Sequence, residues 1–403
     1  MRRALTTGVA ALALLGAGAI GSAVACSDDA PTAPRPEHLD PALVAQGKDI
    51  FRFDTFGDEK YWTDTLRMHE IIQQAVSPAA ALAVGLRVDV DSLPQAVRDA
   101  LAAGKVDLNS PATTVTLLKL NAVVGLKGQV QTVGGRDSLV RVGITCALCH
   151  STVDNSFAKG IGRRLDGWPN TELNPGAIVA LSPAVAENVK AVLRTWGAGK
   201  YDPRINFDGQ STPLVLPPAY GLLGVDKETF TAEGPVSYWN AYVAVTQMHG
   251  QGNFSDPRLG INVAQAPDLV TPKLPALRQY QLSLQKPAPP AGSFDVAAAE
   301  RGRAVFTGAG QCATCHAGST FTDVNTGKLH APSETGMDPR YAARTAGKAY
   351  RTTPLRGLWQ HAPYFHDGSA KTLADVVAHY DRVRSLRLTD QQQRDLVEYL
   401  KSL

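Results

Sequence analysis

The chain has 403 residues, enough for two domains that each bury a core. Hydrophobic residues make up 44 % and charged residues 19 %, the balance of a soluble globular protein rather than a disordered or membrane-embedded one. A net charge of +3, with no basic cluster interleaved with aromatic residues, argues against nucleic acid as a partner.

Residues 1–25 read as a signal peptide. Arg2 and Arg3 form a basic start, Gly8 to Ile20 is apolar, and Ala23-Val24-Ala25 supplies the small residues of a cleavage site. The mature chain is therefore expected to be exported, on the periplasmic side of a bacterial membrane. The apolar run is short for a membrane span, and no later run is long enough for one; a retained anchor helix is the weaker alternative. Cys26 follows the cleavage site and leads into a Pro/Ala-rich tether, residues 26–36. It is the candidate for lipid attachment, which would tether the protein without spanning the bilayer, and membrane contact is expected only there. Ala23 stands where leucine would make a stronger lipoprotein signal, so simple cleavage near Cys26 is the alternative.

Residues 37–285 read as a first domain. It opens with Gln46-Gly47-Lys48-Asp49-Ile50-Phe51, and residues 59–144 read as an insertion. Helical stretches are expected over Glu59 to Val76 and Leu93 to Ala103. Two alternating runs, Val123 to Val133 and Ser138 to Ile144, flank Gly134-Gly135 and predict a hairpin. The motif Cys146-Ala147-Leu148-Cys149-His150 comes next, then the phrase Pro218-Ala219-Tyr220-Gly221-Leu222. Residues 286–292, rich in proline, form the expected linker.

Residues 293–403 read as a second, compact domain. Asp295 to Phe306 predicts a helix and repeats the opening phrase as Arg301-Gly302-Arg303-Ala304-Val305-Phe306. Cys312-Ala313-Thr314-Cys315-His316 follows closely, and Pro354-Leu355-Arg356-Gly357-Leu358 echoes the earlier proline phrase. These short repeats support a duplication. Thr389 and Gln392 form a capping box for a terminal helix that places Leu396, Val397, Leu400 and Leu403 on one face, suited to pack across the opening helix.

The two C-x-x-C-H frames account for the four remaining cysteines and carry the chemistry. Cysteines three apart lie about one helical turn from each other, which matches the spacing of two haem vinyl groups. Thioether bonds from Cys146 and Cys149, and from Cys312 and Cys315, would hold two c-type haems, with His150 and His316 as proximal iron ligands. One zinc on all four thiols, or two disulfides, are the alternatives. Neither explains a histidine after both second cysteines. The expected fold is mainly α: two cytochrome c-like helical domains, each with a covalent haem, plus a helical and hairpin insertion in the first.

Arg351 to Tyr380 closely resembles a signature of the bacterial di-haem cytochrome c peroxidase family, which includes the di-haem enzyme of methylamine utilisation. The match covers the C-terminal domain well and the N-terminal domain loosely, and the insertion is foreign to it. The resemblance implies that the C-terminal haem takes electrons and passes them to the N-terminal haem, where peroxide is reduced. It also implies a distal ligand fourteen positions beyond His366, at Tyr380, where typical peroxidases have methionine. His379 and Met337 are rivals, and a purely packing Tyr380 is the alternative. His366 is expected to hydrogen-bond in the second shell rather than to ligate.

Around the first haem, Tyr238-Trp239-Asn240 stands where the family has a W-D-G-R element, and Gln247 roughly matches a distal glutamine. The glutamate the family uses as general acid–base is not found; the nearest counterpart is Asp256-Pro257. This departure puts peroxidase activity in question. His249 is the candidate replacement, as acid–base group or as iron ligand, with a buried structural histidine as the alternative. Arg351 and Arg356 suit haem propionates, and Trp168 and Trp239 are candidate electron relays. Calcium is known between the family's domains; Pro363 fits one position, but His361 replaces a threonine ligand, so no ion is predicted. The expected electron donor is a small redox protein or a quinol-linked carrier, with peroxide as the candidate substrate. The competing reading is a non-catalytic carrier with both irons six-coordinate.

Overall fold

The computed structural model describes residues 37–403. The expected signal peptide, Cys26 and the tether of residues 26–36 lie outside the described residues.

The chain is built mainly of helices, and among the described residues every sheet is two-stranded. Helix α1 (Pro41–Phe53) starts where Asp40 accepts a hydrogen bond from the Ala42 amide and Pro41 occupies the first turn. The insertion follows. The continuous helix expected over Glu59 to Val76 is instead a π-helical turn, Lys60–Thr65, then α2 (Met68–Ala75). Arg67, with φ +55°, breaks the run between them. The second expected helix is shorter, Gln95–Ala102, because Pro94 takes its N-cap. Helix α3 (Pro111–Lys119), not foreseen from sequence, packs against the hairpin.

The hairpin pairs β1 (Leu126–Val133) with β2 (Arg136–Ile144), from Leu126↔Ile144 to Val133↔Arg136, with the register shifting by one residue between Gln129 and Val130. Gly134 and Gly135 both have positive φ, +57° and +77°, as a two-residue turn matched to strand twist requires. Trp62, Leu66, Ile72, Val115, Leu118, Leu139 and Val142 form a core that Ile161, from beyond the expected insertion, completes. A separate core forms around Phe51, Trp239, Tyr242, Val245 and Leu277, from α1, α4 (Val236–Thr246) and α5 (Leu274–Ser283).

Helix α5 crosses α1 at Gly47. A Cβ there would overlap the Ala276 carbonyl oxygen and stand 2.7 Å from Tyr280 Cβ, so glycine alone permits the approach. One turn on, Phe51 meets Tyr280 edge-on, with ring centroids 5.5 Å apart.

The same crossing recurs near the C-terminus. Helix α6 (Val296–Thr307), capped by Asp295, is followed by α7 (Leu373–Arg384) and α8 (Asp390–Lys401). A Cβ on Gly302 would overlap the Asp395 carbonyl oxygen of α8, and Phe306 meets Tyr399 edge-on at 5.2 Å. The capping box of Thr389 and Gln392 is formed as the sequence indicates. Leu396, Leu400 and Leu403 are buried against Val305, Phe306 and Val377, with Val397 partly buried beside them. The sequence echo between Gly47-to-Phe51 and Gly302-to-Phe306 is therefore an echo in packing.

Candidate haem sites

Both C-x-x-C-H motifs line one continuous cavity of about 590 Å³. At the first, Ala147–His150 forms a single helical turn. The start of β1 presses on it: a Cβ at Gly125 would overlap the Leu148 backbone. The Gly167 and Asn170 amides donate to the His150 and Cys149 carbonyls at 2.8 and 2.9 Å. His150 Nδ1 donates to the Pro217 carbonyl at 3.0 Å, which leaves Nε2 as the nitrogen available to a metal.

The second motif repeats this arrangement. His316 Nδ1 donates to the Phe321 carbonyl at 3.2 Å. The carbonyl of Thr353, which precedes Pro354 as Pro217 precedes Pro218, also acts on the His316 ring. Burial lowers the pKa of His150 and pushes His316 down to about 4, keeping both rings neutral as iron ligation requires. Burial raises the Cys146 and Cys149 thiols to about 12 and Cys312 to about 11.

Cys146, Cys149, Cys312 and Cys315 form no disulfide with one another. Among the described residues, the cluster with metal-ligand reach is Cys315, Asp323 and His330, which joins no two cysteines and so offers no four-thiolate zinc site. Two thiols and a neutral, oriented imidazole, at each of two places in an apolar cavity, fit c-type haem.

The other residues singled out from sequence fall in different places. Tyr380, on α7, lines the cavity near Cys312 and Cys315, and burial pushes its hydroxyl up to about 12. Its neighbour His379 donates Nε2 to the Thr335 carbonyl at 2.9 Å, so that nitrogen is already engaged. Met337 lines the cavity, packed with Tyr341 and Tyr350. His366 is 5 % exposed and shares a hydrogen bond with the Tyr350 hydroxyl at 3.0 Å. Arg351 pairs with Glu228 at 3.0 Å, yet its Nε is buried without a partner. Arg356 lines the cavity, and burial lowers its pKa.

Trp239 lines the cavity and donates to the Glu228 carbonyl at 3.0 Å. Trp168 meets Trp359 edge-on at 5.6 Å, joining a residue near the first motif to one near the second. Trp359 lies inside the segment quoted for the family resemblance but was not itself singled out. His361, also in the cavity wall, is pushed by burial down to about 4.

On the first-motif side, Gln247 is buried and accepts a hydrogen bond from the Tyr201 hydroxyl at 2.7 Å. His249 stacks on Tyr61 with ring centroids 3.7 Å apart, and burial lowers its pKa. Tyr61 and Tyr201 line the same cavity, and neither was identified from sequence. Asp256, nearest to the missing glutamate, is not in the cavity wall. It pairs with Arg258 at 2.7 Å and accepts from the Tyr238 hydroxyl at 2.6 Å, and these partners hold its carboxyl down to about 2.

Paired C-x-x-C-H sites, each lining the cavity beneath a repeated helix crossing, define a c-type cytochrome with two covalently bound haems. A family model described as RoxA-like, cytochrome c-like, matches residues 349–387. A methylamine utilization protein MauG from Methylorubrum extorquens is 33 % identical over 129 residues, 26 % of this chain and 34 % of that protein. The cytochrome-c peroxidase IdrP1 of Denitromonas iodatirespirans is 29 % identical over 151 residues, 27 % of this chain and 40 % of that protein. A solved hydrazine synthase from Kuenenia stuttgartiensis superposes with a TM-score of 0.37 at 20 % identity, covering 52 % of this chain and 78 % of that one. The matches therefore span well under half the length of these two curated relatives. Over that shared region, the chain is similar to the di-haem cytochrome c peroxidases and MauG proteins.

Proposed function

We propose that the protein is a di-haem oxidoreductase that reduces hydrogen peroxide, or oxidises another substrate, at the N-terminal site, using electrons relayed through the C-terminal site. The observation that carries this reading is the single cavity shared by both motifs; the Trp168–Trp359 contact is the relay it proposes. Bound at the two sites, c-type haem supplies one-electron redox chemistry, and two such centres together hold the two electrons that turn one peroxide and two protons into two waters.

The chain's own residues do the rest. The Pro217 and Phe321 carbonyls hold His150 and His316 in the ligating tautomer. Arg351 and Arg356 anchor propionates. Tyr201 and Gln247 form a hydrogen-bonded pair in the wall, and His249 is the group with a proton to give or take. Tyr380 is the ligand proposed for the C-terminal iron, a donor that favours its oxidised state.

The electron donor is a small redox protein or a quinol-linked carrier. The site of action is periplasmic, with a lipid on Cys26 as the proposed tether. Among the described residues, no helix is long and apolar enough to cross a membrane.

The alternative, a non-catalytic carrier, is favoured by Asp256, whose carboxylate is committed to Arg258 and Tyr238 away from the cavity. Anaerobic addition of hydrogen peroxide to the fully reduced protein separates the two readings. Rapid reoxidation of both haems by one equivalent of peroxide is expected. Haems that stay reduced would leave electron carriage alone.

A further inference from the structure

The insertion, foreign to the family pattern, lines the cavity with residues from several of its elements, Tyr61 and Trp62 among them. Its π-helical turn, Lys60–Thr65, is held from two directions. Thr63 accepts from the Val142 amide at 3.0 Å and donates to the Val142 carbonyl at 3.2 Å, which fixes the turn to the hairpin. Trp62 Nε1 donates to the Met248 carbonyl at 3.0 Å, gripping the residue just before His249. Tyr61 then lies almost parallel to the His249 imidazole, 23° between planes and 3.7 Å between centroids.

Both backbones are unusual at this contact. A π-turn is rare and concentrates at functional sites. His249 has φ +63°, a left-handed conformation that a non-glycine residue keeps only when its surroundings enforce it. Gln251, two residues on, is tied by its amide to the Phe56 carbonyl at 2.8 Å, so the segment is clamped on both sides of the strained position. Tyr61, Trp62, Met248 and His249 all line the cavity that holds Cys146, Cys149 and His150.

We propose that Tyr61 is a positioning residue for His249. The insertion uses it to aim the imidazole across the N-terminal haem pocket, where His249 hydrogen-bonds an anion bound at the iron. The proposal rests on the reading that this pocket is open to small ligands. It assigns the insertion a share in the site rather than a purely architectural role. The aromatic face of Tyr61 does the work; its hydroxyl does not.

The test is cyanide binding to the oxidised holoprotein, followed optically at the N-terminal haem, with the C-terminal haem spectrum as the check that each variant is folded. Tyr61→Leu keeps the bulk and loses the aromatic face, and Tyr61→Phe keeps both. His249→Ala and Tyr61→Leu should each weaken cyanide binding about tenfold, the effect of losing one hydrogen bond to an anion. The double variant should be no weaker than His249→Ala, because the two residues act as a unit. Tyr61→Phe should stay within about twofold of wild type.

Unchanged binding in Tyr61→Leu beside a weakened His249→Ala overturns the proposal. So does additivity in the double variant, or a Tyr61→Phe as weak as Tyr61→Leu. Tighter or unchanged binding in His249→Ala overturns it too, and tighter binding would make His249 an iron ligand. No peroxide is used, so a protein with the expected cyanide pattern that ignores peroxide would refute the peroxidase reading alone.

Discussion

Around Cys146–His150 and around Cys312–His316 the chain repeats one helix crossing at a glycine, one edge-on Phe–Tyr contact and one imidazole tied to a carbonyl. The walls on those two frames differ. The first motif sits against the β1–β2 hairpin and faces His249, Gln247, Tyr61 and Tyr201, none of them dictated by the crossing. The second lies close to the surface, with Thr314 between its cysteines exposed, and faces the Tyr380 hydroxyl. The comparison teaches that the repeated scaffold sets where a haem is attached, while the added segments set what it can do. An edge near solvent suits electron entry, and a pocket walled by an insertion suits chemistry.

The largest effect expected of this comparison is on haem content. Cys146→Ala/Cys149→Ala and Cys312→Ala/Cys315→Ala should each lower covalent haem from two per chain to one, measured on denatured, acid-extracted protein. Loss of both haems from one double substitution would mean the two halves do not mature independently.

The shared scaffold is tested next. Gly47→Leu and Gly302→Leu each force a side chain into a carbonyl of the crossing helix, and each should cost roughly 3 kcal/mol in denaturant unfolding of the holoprotein. Very unequal losses would break the equivalence of the crossings.

These frames were legible in the sequence because they are local: cysteine spacing, the following histidine, and a Gly-to-Phe phrase with the same offset in both copies. The Thr389–Gln392 capping box was readable for the same reason. Tyr61 was not legible. Its partner His249 is far along the chain, and a π-turn leaves no period distinct from that of the helix expected over Glu59 to Val76. Arg67's left-handed backbone, which ends that run, has no signal at an arginine. Trp359 stood in plain view, but its meeting with Trp168 is a tertiary fact.

The smallest expected effect concerns Asp256, where the family's glutamate would be nearest. Arg258 and Tyr238 hold its folded carboxyl down to about 2, below the ordinary value just under 4. Its contribution is therefore complete above about pH 4 and is lost as pH falls through 2. Arg258 is half-exposed, so solvent screening keeps that contribution to about 1 kcal/mol. The stability gap between wild type and Asp256→Asn should be constant above pH 4 and close towards pH 2. A gap that persists at pH 2 would show that the pair is not the source.

The claim on which the comparison turns is the proposal that equal scaffolds carry unequal sites, the first open to small ligands and the second capped by Tyr380. Low-temperature electron paramagnetic resonance of the oxidised protein tests it most directly. One high-spin signal, converted by cyanide and absent from Cys146→Ala/Cys149→Ala, should accompany one low-spin signal absent from Cys312→Ala/Cys315→Ala. Two low-spin signals, both indifferent to cyanide, would contradict it.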